Sequence, residues 1–238
     1  LIADVVCFPG CHINHLTPRT LDIDRVQELM PKYGIEPKIL IEGPPRREVP
    51  ILLRQTSFKA LEEPVLFAGE HKGTPTARFG EIEQRGVALT PKGRELYDSL
   101  LNQAGTGKDN LTHQLHLREI FSAFPDSEMF LRRQRLAYFR YRLTPTGEAH
   151  RHAFRPGDDP QPLIERGWVV AQPITYEDFL PVSAAGIFQS NLGNETQARS
   201  HGNASRNAFE AALGCAVYDE FSLYEEAEAR SKQRCGLL

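Results

Sequence analysis

Long apolar runs are what this sequence most plainly lacks. No stretch of it approaches the ~20 consecutive apolar residues that span a bilayer, so no transmembrane helix is expected. No basic segment followed by an apolar core opens the chain, so nothing points to export, and a cytoplasmic location is the expectation. An excess of charge of either sign is missing too. The 28 Lys and Arg against 31 Asp and Glu leave a formal net charge of −3, which offers nucleic acid no electrostatic footprint. The basic cluster Arg132-Arg133-Gln134-Arg135 falls on a helical stretch and reads as a solvated face. Cysteine is sparse: Cys7, Cys11, Cys215 and Cys235 among 238 residues are too few for a disulfide framework and read as free thiols.

Several signatures of chemistry are absent as well. Gly43-Pro-Pro-Arg-Arg47 and Gly105-Thr-Gly-Lys108 both stop short of the full phosphate-loop pattern, so loop formation is the better account of each. Ser183 sits in Pro181-Val-Ser-Ala-Ala-Gly186, which is not the Gly-x-Ser-x-Gly of a nucleophile elbow. Cys7, Cys11, His12 and His15 bring zinc to mind, but Phe8-Pro9-Gly10 does not resemble a zinc knuckle, and strand alternation sends Cys11 and His12 to opposite faces. A starting Met is lacking too, and the first residues are already apolar, which gives the expectation of a processed chain or part of a longer polypeptide.

What is present is a mixed pattern at ordinary globular composition, 40% hydrophobic and 25% charged. Cys11–Thr17 alternates like a strand and stops at Pro18. Asp22 or Asp24 can cap a helix over Arg25–Tyr33 that Gly34 ends. Strands are predicted over Lys38–Glu42, Ile51–Phe58 and Thr76–Arg85. Beyond them the texture changes. Thr90-Pro91 caps a helix through Leu101, residues 111–123 are helical, a second helix follows the Phe124–Ser127 break, and strands are expected over Leu136–Leu143 and Trp168–Ala171. Residues 155–162 read as loop, Thr175–Asn194 as irregular, and Asn207–Arg234 as one long closing helix with Phe209, Leu213, Val217, Phe221 and Tyr224 on a stripe.

The most informative pair is His15 with the carboxylates at 81 and 83. On a strand, His15 and Ile13 share one face while His12 and Asn14 share the other, so at most one of the two histidines ligates. Glu81 and Glu83 share a face on the later strand, with Phe79 and Arg85, and a carboxylate there is costly to bury unless it is paired or holds a metal. Two His and one carboxylate leave positions open on Fe(II) for substrate and oxygen. From spacing alone the signal is weak, and a lone His–Glu pair on two strands is more often structural.

Three strings occur in order: His12-Ile-Asn-His-Leu-Thr-Pro-Arg-Thr-Leu-Asp-Ile-Asp24, Ala77-Arg-Phe-Gly-Glu-Ile-Glu-Gln-Arg-Gly86 and Tyr176-Glu-Asp-Phe-Leu-Pro-Val-Ser-Ala-Ala-Gly-Ile-Phe-Gln-Ser190. Together they resemble the 2-oxoadipate dioxygenase/decarboxylase family, whose core is similar to the vicinal oxygen chelate fold. The resemblance implies an α+β chain: a vicinal-oxygen-chelate-like βαβββ half-barrel with additional helices, expected to be the C-terminal part of a longer chain. Residues 1–103 would be the βαβββ metal-binding module. Residues 104–238 would be a helical and mixed region with a substrate-loop segment at 176–190 and a long C-terminal helix. The implied reaction turns 2-oxoadipate and O2 into 2-hydroxyglutarate and CO2 in lysine breakdown. The implied cofactor is Fe(II), with His15 and Glu81 as ligands, His15, Val182 and Ser183 as substrate contacts, and Glu83 orienting a neighbour or pairing with Arg85. The 2-oxo acid is both decarboxylated and hydroxylated, so no separate 2-oxoglutarate is needed.

The family's first metal His and a substrate Arg lie in a His-Gly-Ala-Ile-Arg-like string that this chain lacks, so an upstream module of the same polypeptide is expected to supply the third ligand. Arg54, Arg78 and Arg85 could each bind the substrate's distal carboxylate. Two other readings stay open: a glyoxalase-like or extradiol-type enzyme on the same scaffold using zinc, nickel or manganese, and a non-catalytic binding protein.

Overall fold

A computed structural model describes residues 18–62, 65–67, 71–73, 76–104, 109–177 and 210–238. It is a mixed α+β structure with small antiparallel sheets. The first helix is α1, Ile23–Leu29, extended by a 3-10 turn over Met30–Tyr33. Asp22 caps it by accepting the Arg25 amide, and Gly34 ends it at φ 73°, a left-handed value that costs glycine little. Ile23 and Met30 are its buried residues.

Three strands then form an antiparallel sheet in the order β1 (Glu36–Pro37), β2 (Leu53–Glu62), β5 (Thr76–Arg85). Between the long pair lie the short β3 (Val65–Phe67) and β4 (His71–Gly73), paired with each other. The strand expected over Lys38–Glu42 is not formed. Among the described residues it touches β2 through the bridge from Glu42 to Gln55 and the Lys38 amide's bond to the Ser57 carbonyl, and Ile41 instead takes an Asn110 side chain as acceptor for its amide. The expected alternation from Phe79 through Arg85 is interrupted as well. Ser57 pairs with Glu81 and Phe58 with Phe79, which leaves Gly80 as the extra residue of a bulge.

After β5 come α2 (Pro91–Leu101), capped by Thr90 as expected, α3 (Asn110–Ile120) and α4 (Glu128–Arg133). The antiparallel pair β6 (Phe139–Leu143) and β7 (Val169–Pro173) follows, with α5 (Pro145–Ala149) and α6 (Pro160–Glu165) between its strands. The stretch 155–162, expected as loop, thus starts a helix at Pro160, whose fixed φ suits a first helical turn. The closing helix α7 is Glu220–Cys235, shorter than the one expected from Asn207. Gly214 at φ 74° separates a helical turn at 210–213 from it, and Leu213 is exposed. Phe221 and Tyr224 do pack on the core, while Phe209 lies outside the described residues.

One hydrophobic cluster joins Ile51 and Val87 to Leu117, Phe121, Phe139 and Leu237, so residues on both sides of position 103 share a core. Burying each such side chain contributes ~1.5–3 kcal/mol. The outer edge of β6 is closed by side chains of α7: the Phe139 amide donates to Glu228 (2.8 Å) and the Tyr141 amide to Ser231 (3.0 Å). That satisfies backbone donors a third strand would otherwise take. Arg132, read as solvated, is mostly covered instead. It lies over the Phe139 ring at 5.2 Å and donates to Gln161, while Arg133 and Arg135 are exposed. The Gly43–Arg47 segment is a loop, as read, and Arg47 ties it down by donating to the carbonyls of Phe121, Phe124 and Pro125.

Gly86 ends β5 against the backbone of residues 50–51. A Cβ there would lie 2.2 Å from the Pro50 carbonyl carbon and 2.3 Å from the Ile51 nitrogen. Both are main-chain atoms that cannot swing aside, so Gly86→Ala is expected to cost roughly 1–3 kcal/mol or more. In thermal unfolding that is ~2–4 °C of Tm for each kcal/mol at this chain length. An unchanged Tm would show that the 50–51 turn yields freely.

Candidate functional site

The β2–β5 register sorts the sheet into two faces. Leu53, Gln55 and Ser57 lie opposite Arg85, Glu83 and Glu81, while Arg54 and Thr56 lie opposite Gln84 and Ile82. Helix α1 covers the second face. Asp24 forms a two-pronged pair with Arg54 at 2.7 and 2.9 Å, Gln27 accepts from Thr56 at 2.7 Å, and the Leu21 carbonyl accepts from Gln84 at 2.7 Å. Arg54 is buried, and its remaining donors go to the Pro44 carbonyl, Gln84 and Gln114, so all its N–H groups are taken. It is therefore withdrawn as a receptor for a substrate carboxylate. Burial pushes the Asp24 carboxyl up, but the Arg54 hydrogen bonds and charge, helped by Arg46 and Arg118, hold it below the usual carboxylate range.

The first face carries a four-charge cluster. Glu83 is 1% exposed, and its Oε1 accepts from Arg85 Nε at 2.6 Å with Arg19 Nε 3.4 Å away. Burying a carboxylate is costly unless it is paired, and here two guanidiniums share it. The same two guanidiniums reach a second carboxylate. Arg19 grips Glu177 through both Nη atoms at 3.1 and 2.8 Å, and Arg85 Nη1 donates to Glu177 and, at 3.3 Å, to the Tyr176 carbonyl. Among the described residues two carboxylates face two guanidiniums, so this set carries no net charge. The hydrogen bond to Glu177, with the charges of Glu177 and Glu83, holds the Arg19 guanidinium above its ordinary pKa against the opposing effect of burial.

Backbone bonds bring these side chains together. Glu83 donates to the Pro18 carbonyl (3.1 Å) and Thr20 to the Glu83 carbonyl (2.8 Å), so residues 18–20 run parallel to β5. The Tyr176 amide donates to the Gly86 carbonyl (2.9 Å), which brings residues 175–177 to the end of the same strand. The Glu177 amide donates to the Tyr224 hydroxyl at 2.7 Å, and that ring stacks on Tyr138 at 5.6 Å between centroids.

Of the residues singled out from sequence, Glu83 and Arg85 form the expected pair. Glu81 holds the register position opposite Ser57, with only its backbone described. His12, His15, Val182, Ser183, Cys7, Cys11 and Gly105–Lys108 lie outside the described residues, as does the side chain of Arg78. Among the described residues no group of three His, Cys, Asp or Glu is placed to hold a metal. Nor is any described helix long and apolar enough to cross a membrane. Sequence reasoning passed over Arg19 and Glu177. Both lie inside the quoted strings, and neither stands in a spacing that marks it from sequence.

Fold and site together define an α+β protein whose main sheet is sealed by a helix on one face and carries a buried carboxylate–arginine cluster on the other. Residues 1–191 match the family model of the 2-oxoadipate dioxygenase/decarboxylases. The chain is 84% identical over 238 residues to a 2-oxoadipate dioxygenase/decarboxylase of Escherichia coli, covering 100% of this chain and 53% of that one. It superposes with a TM-score of 0.79 on the hydroxyglutarate synthase of Pseudomonas putida in complex with 2-oxoadipate, at 54% identity, covering 98% of this chain and 52% of that one. A Shigella flexneri structure of an uncharacterised protein that includes a domain of unknown function gives a TM-score of 0.80 at 73% identity, covering 98% and 50%. The chain belongs to the 2-oxoadipate dioxygenase/decarboxylase family. It spans about half the length of the curated relatives it matches.

Proposed function

We propose that this chain carries part of the active site of an Fe(II)-dependent enzyme that converts 2-oxoadipate and O2 to 2-hydroxyglutarate and CO2. His15 and Glu81 hold the metal, and an upstream module of the same polypeptide supplies a third ligand. The observation that carries this reading is the commitment of Glu83. With Arg85 and Arg19 sharing its buried carboxylate, Glu83 has no charge left to give a metal, and Glu81, two residues earlier in β5, is the strand's other carboxylate. Four residues of chain link His15 to Arg19, a reach of at most ~14 Å, and Arg19 is bridged to Glu83. Imidazole and carboxylate donors suit a divalent iron that keeps positions open.

Bound there, the metal would supply the oxygen chemistry and bind the 2-oxo acid. The chain's own share is positional. Glu83 fixes Arg85 at the end of β5, Glu81 and His15 supply the metal's donors, and Val182 and Ser183, with His15, contact the substrate. The vicinal-oxygen-chelate-like arrangement, and the division into a metal-binding part (1–103) and a part bearing the substrate segment (104–238) on one shared core, belong to this same proposal.

The test is oxygen uptake by the full-length polypeptide loaded with Fe(II). With 2-oxoadipate it is expected to consume one O2 and release one CO2 for each 2-hydroxyglutarate formed, whereas residues 1–238 alone are expected to hold metal weakly and show no turnover. Turnover of a hemithioacetal or a catechol with zinc, nickel or manganese, and none of 2-oxoadipate with iron, would replace it by the glyoxalase or extradiol alternative.

A further inference from the structure

The three sequence strings that carry the family resemblance meet, through described residues, at one point. The first contributes Arg19, the second Glu83 and Arg85, and the third Glu177. They are far apart in sequence: Arg19 and Glu177 are separated by 158 positions and Arg85 and Glu177 by 92. An ordinary surface pair of exposed side chains contributes little, and Arg19 and Glu177 are each about half exposed. Their partners differ, however. Glu83 and Arg85 are almost fully buried, so the exposed pair closes over a charge pair already removed from water. Arg19 and Arg85 each bridge both carboxylates, so when either exposed partner is lost Glu83 and Arg85 still match each other, and what is lost is the link between the two segments.

We infer that Arg19 and Glu177 are positioning residues of the proposed reaction: their ion pair fixes the segment entering β5's flank and the segment following β7 in one relation to the strand bearing Glu81. The inference rests on the assignment of His15, Glu81, Val182 and Ser183 given above. His15 lies four residues before Arg19, Glu81 lies two before Glu83, and Val182 lies five after Glu177, so each assigned residue is a short tether from this cluster. Misplacement by an ångström at such a junction can cost ~100-fold in rate or productive binding. A structural tie elsewhere in the fold would instead lower stability without touching substrate affinity.

The experiment uses the full-length polypeptide with Glu177→Gln, Arg19→Ala and Arg19→Lys. Bound iron, Tm, KM and kcat for 2-oxoadipate, and hydrogen exchange at the Thr20 and Glu177 amides are measured for each. The first two variants are expected to keep iron and Tm near wild type and to raise KM about tenfold or more, with kcat less affected. Exchange at both amides should speed up while the Thr56 amide, inside β2, stays protected. Arg19→Lys should recover only part of both effects, because it restores the charge but not the two-pronged grip. Unchanged KM and exchange in Glu177→Gln and Arg19→Ala would overturn the inference. So would a parallel loss of iron, Tm and kcat with no separate rise in KM. Absence of 2-oxoadipate turnover in the wild type would remove the proposed function, and the exchange measurements would still decide whether the cluster ties the segments: slower or equal exchange in the variants overturns it, faster exchange supports it.

Discussion

Replacing His15 with Ala in the full-length polypeptide should empty the metal site and abolish O2 uptake, while His12→Ala should leave bound iron near stoichiometric. The same contrast is expected on β5, where Glu81→Gln should lose the metal and Glu83→Gln should weaken the site without emptying it. The physical difference lies in what each carboxylate touches. Glu83 is enclosed by Arg85 and Arg19, so its charge is already matched, and removing it disturbs the guanidiniums around it. Losses of groups that orient a ligand typically cost 10–100-fold in affinity or activity, against complete loss for the ligand itself. Metal analysis of the four purified variants, with O2 uptake measured on the same samples, gives the result directly. Equal loss of iron from His12→Ala and His15→Ala would sink the strand-parity argument, and iron retained by Glu81→Gln but lost from Glu83→Gln would reverse the two glutamates.

Much of this was legible in the sequence where local chemistry decides. Thr90-Pro91, Gly34 and the Asp22 cap mark helix ends because capping and a left-handed glycine are local requirements, and α1 and α2 end there. Strand β5 has the expected bounds. What alternation could not foresee is the bulge at Gly80, since a register shift depends on the partner strand. Lys38–Glu42 has strand-like apolar content, yet Ile41 is held by Asn110 from a helix 69 positions away, a tertiary contact that overrides propensity. The pairing of Glu83 with Arg85 was legible because both lie on one strand two residues apart. Arg19 and Glu177 were not, because only the fold brings residues 158 positions apart into one cluster.

Arg54 shows the converse error, a residue whose chemistry suggested substrate recognition and whose position gives it to the fold. Arg54→Met is expected to destabilise the protein by about 3 kcal/mol, the lower end of what breaking a buried pair costs, because Asp24 keeps 23% side-chain exposure and can regain some water. That corresponds to a Tm lower by roughly 6–12 °C. The variant also leaves the Pro44 carbonyl and Gln114 without their donor, which deepens the loss. The pH dependence identifies the mechanism. Wild-type Asp24 has a depressed folded-state pKa, so its contribution is fully present above the ordinary carboxylate pKa and is lost as pH falls through the depressed value. Without Arg54, burial becomes the main influence on Asp24 and pushes its pKa up, so protonation relieves the variant while it harms the wild type. The Tm difference should therefore be largest near neutral pH and shrink in acid, and Asp24→Leu combined with Arg54→Met should recover a large part of it. Because Arg54 lies on the face that α1 seals, opposite the face of Glu83, KM for 2-oxoadipate should change little at temperatures where the variant is folded. A tenfold rise in KM with Tm unchanged would return Arg54 to the substrate.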